Sequence, residues 1–137
     1  GERLSAFVKR SGLRVVKILA MVETAARRPL MEMLQKALGE GFYVTTSSDF
    51  LVEIMPAGQS KAAAVDYLSE YYRVPRAETA AIGDQLNDLP MVMRAGGSFA
   101  VANAEPELKK VARVVPSVEE DGVAEALKIA MGDEDER

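Results

Sequence analysis

Cysteine and histidine are both missing from the 137-residue sequence, as is tryptophan. Without cysteine there is no disulfide scaffold, no thiolate zinc site and no cysteine nucleophile. Without histidine there is no Ser-His-Asp triad, and the commonest general base is gone. Any chemistry must run on Asp, Glu, Lys, Arg, Ser, Thr, Tyr and Asn. A bound metal must take oxygen ligands, which favours magnesium, manganese or calcium.

Basic residues are the scarcer charge, 17 against 21 acidic ones, for a net charge of −4. That balance argues against bulk nucleic-acid binding. No apolar run approaches the roughly 20 residues of a membrane helix, and Gly1-Glu2-Arg3 does not open a signal peptide. The expectation is a cytoplasmic protein with no nucleic-acid or membrane partner. The first residue is glycine rather than methionine, which leaves room for a longer natural chain. With 48% hydrophobic and 28% charged residues the chain has an ordinary globular composition, long enough for one domain or two small ones.

The first part of the chain reads β-α-β-β. Leu13 to Val22 is β-branched and mostly apolar, a strand pattern. Pro29 stands where a helix would start, followed by Leu30, Met33, Leu34, Ala37 and Leu38 on one face and by Gly39 and Gly41 at its end. Phe42 to Ser47 and Phe50 to Met55 read as two strands joined through Ser48-Asp49, an antiparallel hairpin. The pattern changes at Pro56-Ala57-Gly58. Ser60 can cap a helix whose apolar face is Ala64, Val65, Leu68 and Tyr71 or Tyr72, with one of those two rings expected to pack.

Short apolar strands at 79–82, 98–102 and 113–115 then alternate with helices. One helix runs from about Asp88 to Arg94, one from Glu107 to Ala112, and a last one to about Met131, preceded by a Ser117/Glu120 capping box. Alternation of this kind implies a parallel sheet covered by helices. The expected domains are 1–55, an α+β unit, 56–132, an α/β unit, and a charged tail at 133–137.

Chemistry concentrates in Ile82-Gly83-Asp84-Gln85-Leu86-Asn87-Asp88. An apolar strand ends, a glycine turns, and Asp84 appears at the carboxyl end of the strand, where parallel α/β sheets bind ligands. Two carboxylates, Asp84 and Asp88, are hard ligands suited to Mg²⁺. Free amide groups at the start of the next helix, with Asn87 as a neutral donor, suit a phosphate. Asp and Asn are also common simple helix caps, so the specificity lies in the whole string between strand and helix. Lys61 opens the preceding helix, where the dipole disfavours a cation. It is either solvated or held over the sheet to pair with a phosphoryl group and a carboxylate.

Together these segments resemble the C-terminal part of the Cof-type phosphatases of the haloacid dehalogenase (HAD) superfamily. The likeness rests on Pro56-Ala57-Gly58-Gln59-Ser60-Lys61, Ile82 to Asp88, Ala95 to Ala104 and Glu120-Asp121-Gly122-Val123-Ala124, in order over roughly residues 50–131. Residues 13–55 are similar, more loosely, to the last portion of that family's cap domain. The resemblance implies the C-terminal half of a Rossmann-like core preceded by a partial cap. It implies Lys61 as a catalytic and substrate-binding residue that stabilises an aspartyl-phosphate and its nucleophile. It implies Asn87 in the phosphate site and Asp84 and Asp88 as the Mg²⁺ residues. The implied reaction is Mg²⁺-dependent hydrolysis of a small phosphorylated metabolite such as a sugar phosphate.

The family's nucleophile lies in an N-terminal Asp-x-Asp motif after a strand. Here the one Asp-x-Asp is Asp133-Glu134-Asp135 in the charged tail, with no strand before it. Thr45 and Thr46 lie in the cap-like part and are not taken as the family's missing hydroxyl residue. The expectation is a fragment, inactive alone, with an open sheet edge to be covered by the missing N-terminal half or another copy. A non-catalytic metal- or phosphate-binding module is the alternative. The phosphorylation domain of a P-type cation pump carries a similar Gly-Asp-x-x-Asn-Asp-x-Pro hinge, but the hairpin before Lys61 suits a phosphatase cap better. Arg27, Arg28 and Lys17 are read as exposed charges able to meet an anionic substrate, though more simply as surface residues.

Overall fold

The computed structural model describes residues 3–132, so Asp133-Glu134-Asp135 and the tail lie outside the described residues. The chain divides into two compact units, residues 3–45 with 49–57, and residues 46–48 with 58–132.

The first unit opens with a helix that no sequence feature announced, α1 (Leu4–Ser11), closed by Gly12 in the left-handed region at φ 65°. Strand β1 (Ile18–Met21) follows, then helix α2 (Thr24–Leu38), strand β2 (Phe42–Ser48) and strand β3 (Leu51–Pro56). The sheet order is β1-β3-β2, with β1 antiparallel to β3 in the register Ile18↔Ile54 to Met21↔Leu51. Residues 49 and 50 alone link β2 to β3, a connection only antiparallel strands can use. The expected β-α-β-β order is therefore found, with two corrections.

The first strand covers four residues rather than Leu13 to Val22, because its pairing with β3 runs only from Ile18↔Ile54 to Met21↔Leu51. Helix α2 starts at Thr24, not at Pro29, which lies inside it. A proline at the sixth helical residue removes a single hydrogen bond near the amino end. Upstream of it the helix is held by its first turn, where Ala26 N–H donates to Glu23 O at 2.8 Å, and by Arg27, which pairs with Asp49 at 3.2 Å. Arg27 is buried at 7% exposure, contrary to the sequence expectation. Lys17 is likewise engaged, 3.1 Å from the buried Glu53 carboxylate.

The second unit is an α/β layer. Its elements are α3 (Lys61–Tyr72), β4 (Ala80–Gly83), α4 (Leu89–Val92), β5 (Gly97–Val101), α5 (Pro106–Lys109), β6 (Arg113–Val115) and α6 (Gly122–Met131). The sheet is parallel in the order β4-β5-β6. The central strand β5 buries Phe99, Ala100 and Val101 in succession, as expected of a parallel strand covered on both faces. Val92 from α4, Leu108 from α5 and Ala126 from α6 complete that core.

Ser60 caps α3, its Oγ accepting Ala63 N–H at 3.2 Å. The Ser117/Glu120 capping box is present, but it closes a 3₁₀ turn at Val118–Glu120. Asp121 then turns the chain at φ 58° before α6 starts at Gly122. Gly122 is required there, since a Cβ would run into the Pro116 carbonyl. Both Tyr71 and Tyr72 are exposed, stacked edge to face at 5.0 Å, so neither ring packs into a core. No described helix is long and apolar enough to cross a membrane.

Candidate functional site

The site is built at the carboxyl end of β4. The strand stops at Gly83, where a Cβ would collide with the side chain of Asp88, so only glycine lets Asp88 tuck beneath the turn. Asp88 is 3% exposed and its carboxylate organises everything around it. Its Oδ2 accepts the amides of Asp84 at 3.1 Å and Gln85 at 3.3 Å. Its Oδ1 accepts Lys61 Nζ, an ion pair reaching across from the first residue of α3. The Lys61 side chain remains half exposed at 49%.

Turned back by its own amide, Asp84 presents its carboxylate to solvent. Partial loss of hydration, then the neighbouring Asp88 charge, raise its pKa above the ordinary aspartate value, against the opposing pull of Lys61. The Asp84 carbonyl accepts Glu105 N–H at 2.8 Å, which anchors the turn to the loop after β5. Lys61, Asp84 and Asp88 thus line one cavity of about 470 Å³, floored by Ile82, Met91, Val101, Val118 and Val123. A cation at one end, an exposed carboxylate beside it and an apolar floor make a pocket for an anionic group and a hard cation together.

The sequence expectation brought Lys61, Asp84, Asn87 and Asp88 to one place, and the structure places all four on this turn or against it. It differs in how the amides are used. The amides of Asp84, Gln85, Asn87, Asp88 and Leu89 all donate within the protein rather than standing free for a phosphate. The cause is the short helix: α4 covers only Leu89–Val92, so the turn closes on Asp88 instead of leading directly into a long helix.

Asn87 is held differently from its neighbours. Its N–H donates to Thr46 O at 3.1 Å, and its own Oδ1 is buried with no hydrogen-bond partner among the described residues. Gln85 Oε1 is buried and unpartnered in the same sense. Thr46 was not singled out as a site residue from the sequence. Its contribution is a backbone carbonyl, which leaves no residue-type signal, and it lies 41 positions from Asn87 along the chain.

Comparison with known proteins agrees with this geometry. The sequence profile of the haloacid dehalogenase-like hydrolases matches residues 3–127. A phosphoglycolate phosphatase of Archaeoglobus fulgidus is 40% identical over 108 residues, covering 77% of this chain and 48% of that protein. The Bacillus subtilis 5-amino-6-(5-phospho-D-ribitylamino)uracil phosphatase YitU is 42% identical over 79 residues, 57% of this chain and 29% of that protein. Among solved structures, the HAD phosphatase BT1666 from Bacteroides thetaiotaomicron superposes with a TM-score of 0.77 at 27% identity, covering 95% of this chain and 46% of that one. A HAD/COF-like hydrolase from Plasmodium vivax gives a TM-score of 0.81 at 25% identity, covering 96% of this chain and 46% of that one. The chain spans about half the length, or less, of the proteins it matches.

Proposed function

The chain belongs to the haloacid dehalogenase-like hydrolases, and from that membership we propose that it is the metal- and phosphate-binding part of a Mg²⁺-dependent phosphomonoesterase. The observation that carries this reading is the Lys61–Asp88 pair, with the Asp84 and Gln85 amides folded onto the same carboxylate and the Asp84 side chain left open beside it.

The donor set fits Mg²⁺. The ion takes one or two carboxylates and fills its remaining positions with water and phosphate oxygens, and this cavity offers the Asp84 and Asp88 carboxylates with no imidazole or thiolate to compete. Asp84 would hold the ion and Asp88 would support it. When bound, the metal supplies charge neutralisation on phosphoryl oxygens. Lys61 adds a cation that favours the charged phosphoryl group, and Asp88 fixes where that ammonium sits. The Asn87 amide group adds a neutral contact to the same oxygens.

The substrate class suggested by the relatives is a small phosphorylated metabolite: phosphoglycolate is the substrate named for one relative and a ribityl phosphate for another. The nucleophilic aspartate of an aspartyl-phosphate route would come from a segment outside residues 3–132, either the N-terminal half of a longer product or a separately encoded partner. The chain alone is then expected to bind without turnover.

The test reads the gene upstream of the Gly1 codon for a strand followed by Asp-x-Asp, and expresses that product. Phosphate release is measured from phosphoglycolate and sugar phosphates, with and without Mg²⁺. Loss of turnover on Asp84→Asn supports the assignment. Full activity in Asp84→Asn would sink it.

A further inference from the structure

We propose that Thr46 is a positioning residue for Asn87, so that the end of strand β2 sets where the phosphate-facing side chain sits. The proposal rests on the reading of Asn87 as part of the phosphate site.

Most of the amides at 84–89 are bonded within the turn itself. Asp84 and Gln85 donate to Asp88, Asp88 N–H donates to Gln85 O at 2.8 Å, and Leu89 N–H donates to Leu86 O at 3.2 Å. Of the turn's bonded amides, that of residue 87 alone donates outside the turn, to Thr46 O at 3.1 Å. Its side chain makes no hydrogen bond among the described residues, and Oδ1 is buried without one. The orientation of Asn87 is therefore governed by its backbone, and its backbone by Thr46.

Thr46 is shaped for that task. It is fully buried, at 0% exposure, although it is polar. Its hydroxyl donates to Ser48 O at 2.6 Å and accepts Ser48 N–H at 3.4 Å. These two bonds tie the Thr46 side chain to Ser48 at the end of β2 and hold the Thr46 carbonyl in place. Residues 46–48 group with the second unit although the strand that carries them begins in the first. The buried Thr46 hydroxyl, bonded to Ser48, sits beside the carbonyl that holds the Asn87 amide.

The test uses the 137-residue chain with two variants. Thr46→Val keeps the β-branched shape and removes both hydroxyl bonds, whereas Thr46→Ser keeps them. Amide hydrogen exchange is followed residue by residue, and inorganic phosphate is titrated in the presence of Mg²⁺ by amide chemical shifts.

In Thr46→Val the Asn87 amide should exchange about tenfold faster and phosphate should bind about tenfold more weakly, the equivalent of one net hydrogen bond. The Asp84 and Gln85 amides, held by Asp88, should not change, and Thr46→Ser should restore both readouts. Acceleration of all the turn amides together would mean a merely structural role and overturn the proposal. So would unchanged phosphate affinity in Thr46→Val when the unmodified chain binds phosphate at Asn87. If the unmodified chain shows no phosphate-induced shift at Asn87, the phosphate-site reading itself fails and the proposal falls with it.

Discussion

Replacing Asp88 with alanine should cost about 3–4 kcal/mol of stability in metal-free buffer. The side chain is 3% exposed and accepts two backbone amides, from Asp84 at 3.1 Å and Gln85 at 3.3 Å. Hydrogen bonds to a charged acceptor contribute about 1.5–3 kcal/mol each, and these two are long, so the low end of that range applies. The Lys61 pair adds at most about 1 kcal/mol, because Lys61 is half exposed and rehydrates when its partner goes. Asp88→Asn keeps one carbonyl oxygen for the amides and should lose roughly half as much. Lys61→Met should lose no more than about 1 kcal/mol.

The assay is urea unfolding followed by circular dichroism, with the slope m unchanged and the midpoint shifted. For a chain this size the alanine variant should also lower Tm by about 10 °C. A loss below about 1 kcal/mol for Asp88→Ala would refute the argument, since the turn would then hold itself without that carboxylate. The order of the three variants matters as much as their size. A Lys61 loss equal to that of Asp88 would mean the ion pair, not the amide bonds, holds the turn.

Other perturbations follow from the same geometry. Gly122→Ala forces a Cβ into the Pro116 carbonyl and should destabilise the chain by more than about 2 kcal/mol, read by thermal unfolding. Ser60→Ala removes the α3 cap and should cost about 1 kcal/mol in urea unfolding. Mg²⁺ should raise the Tm of the unmodified chain in a concentration-dependent way, and Asp84→Asn should abolish that rise; a persistent rise would move the metal site elsewhere. Asp66 accepts a paired hydrogen bond from Arg94 and sits beside Arg76, which hold its pKa below the usual aspartate value. Its stabilising effect is therefore complete above the ordinary pKa near 3.8 and is lost as pH falls through the lowered one. In Arg94→Ala, carboxyl titration by NMR should find the Asp66 pKa moved back upward.

Much of this molecule was legible as local pattern. The strand-turn string at 82–88, the Ser60 cap and the β2–β3 hairpin were read from residues whose neighbours in sequence are also their neighbours in space. The Ser117/Glu120 box was read in the same way, although a 3₁₀ turn rather than α6 follows it. The strand at 18–21 was overextended because β-propensity does not say over how many residues a partner strand pairs. Pro29 misled because proline marks a permitted helix start without forbidding an earlier one. Arg27 was taken for a surface charge because sequence carries no sign of the Asp49 carboxylate that accompanies its burial.

The sequence by itself determined the chemical vocabulary: no thiolate, no imidazole, and Asp84, Asn87 and Asp88 within five residues of one another after an apolar strand. Periodicity determined that a parallel sheet would carry them. Only the tertiary structure decided the roles within that set. It gave Asp88 to Lys61 and two amides, left Asp84 open to solvent, and assigned the Asn87 amide to a carbonyl on strand β2. The physical reason is that a carboxylate's task depends on which donors reach it, and those donors come from positions 27 residues away for Lys61 and from backbone atoms that every residue type shares.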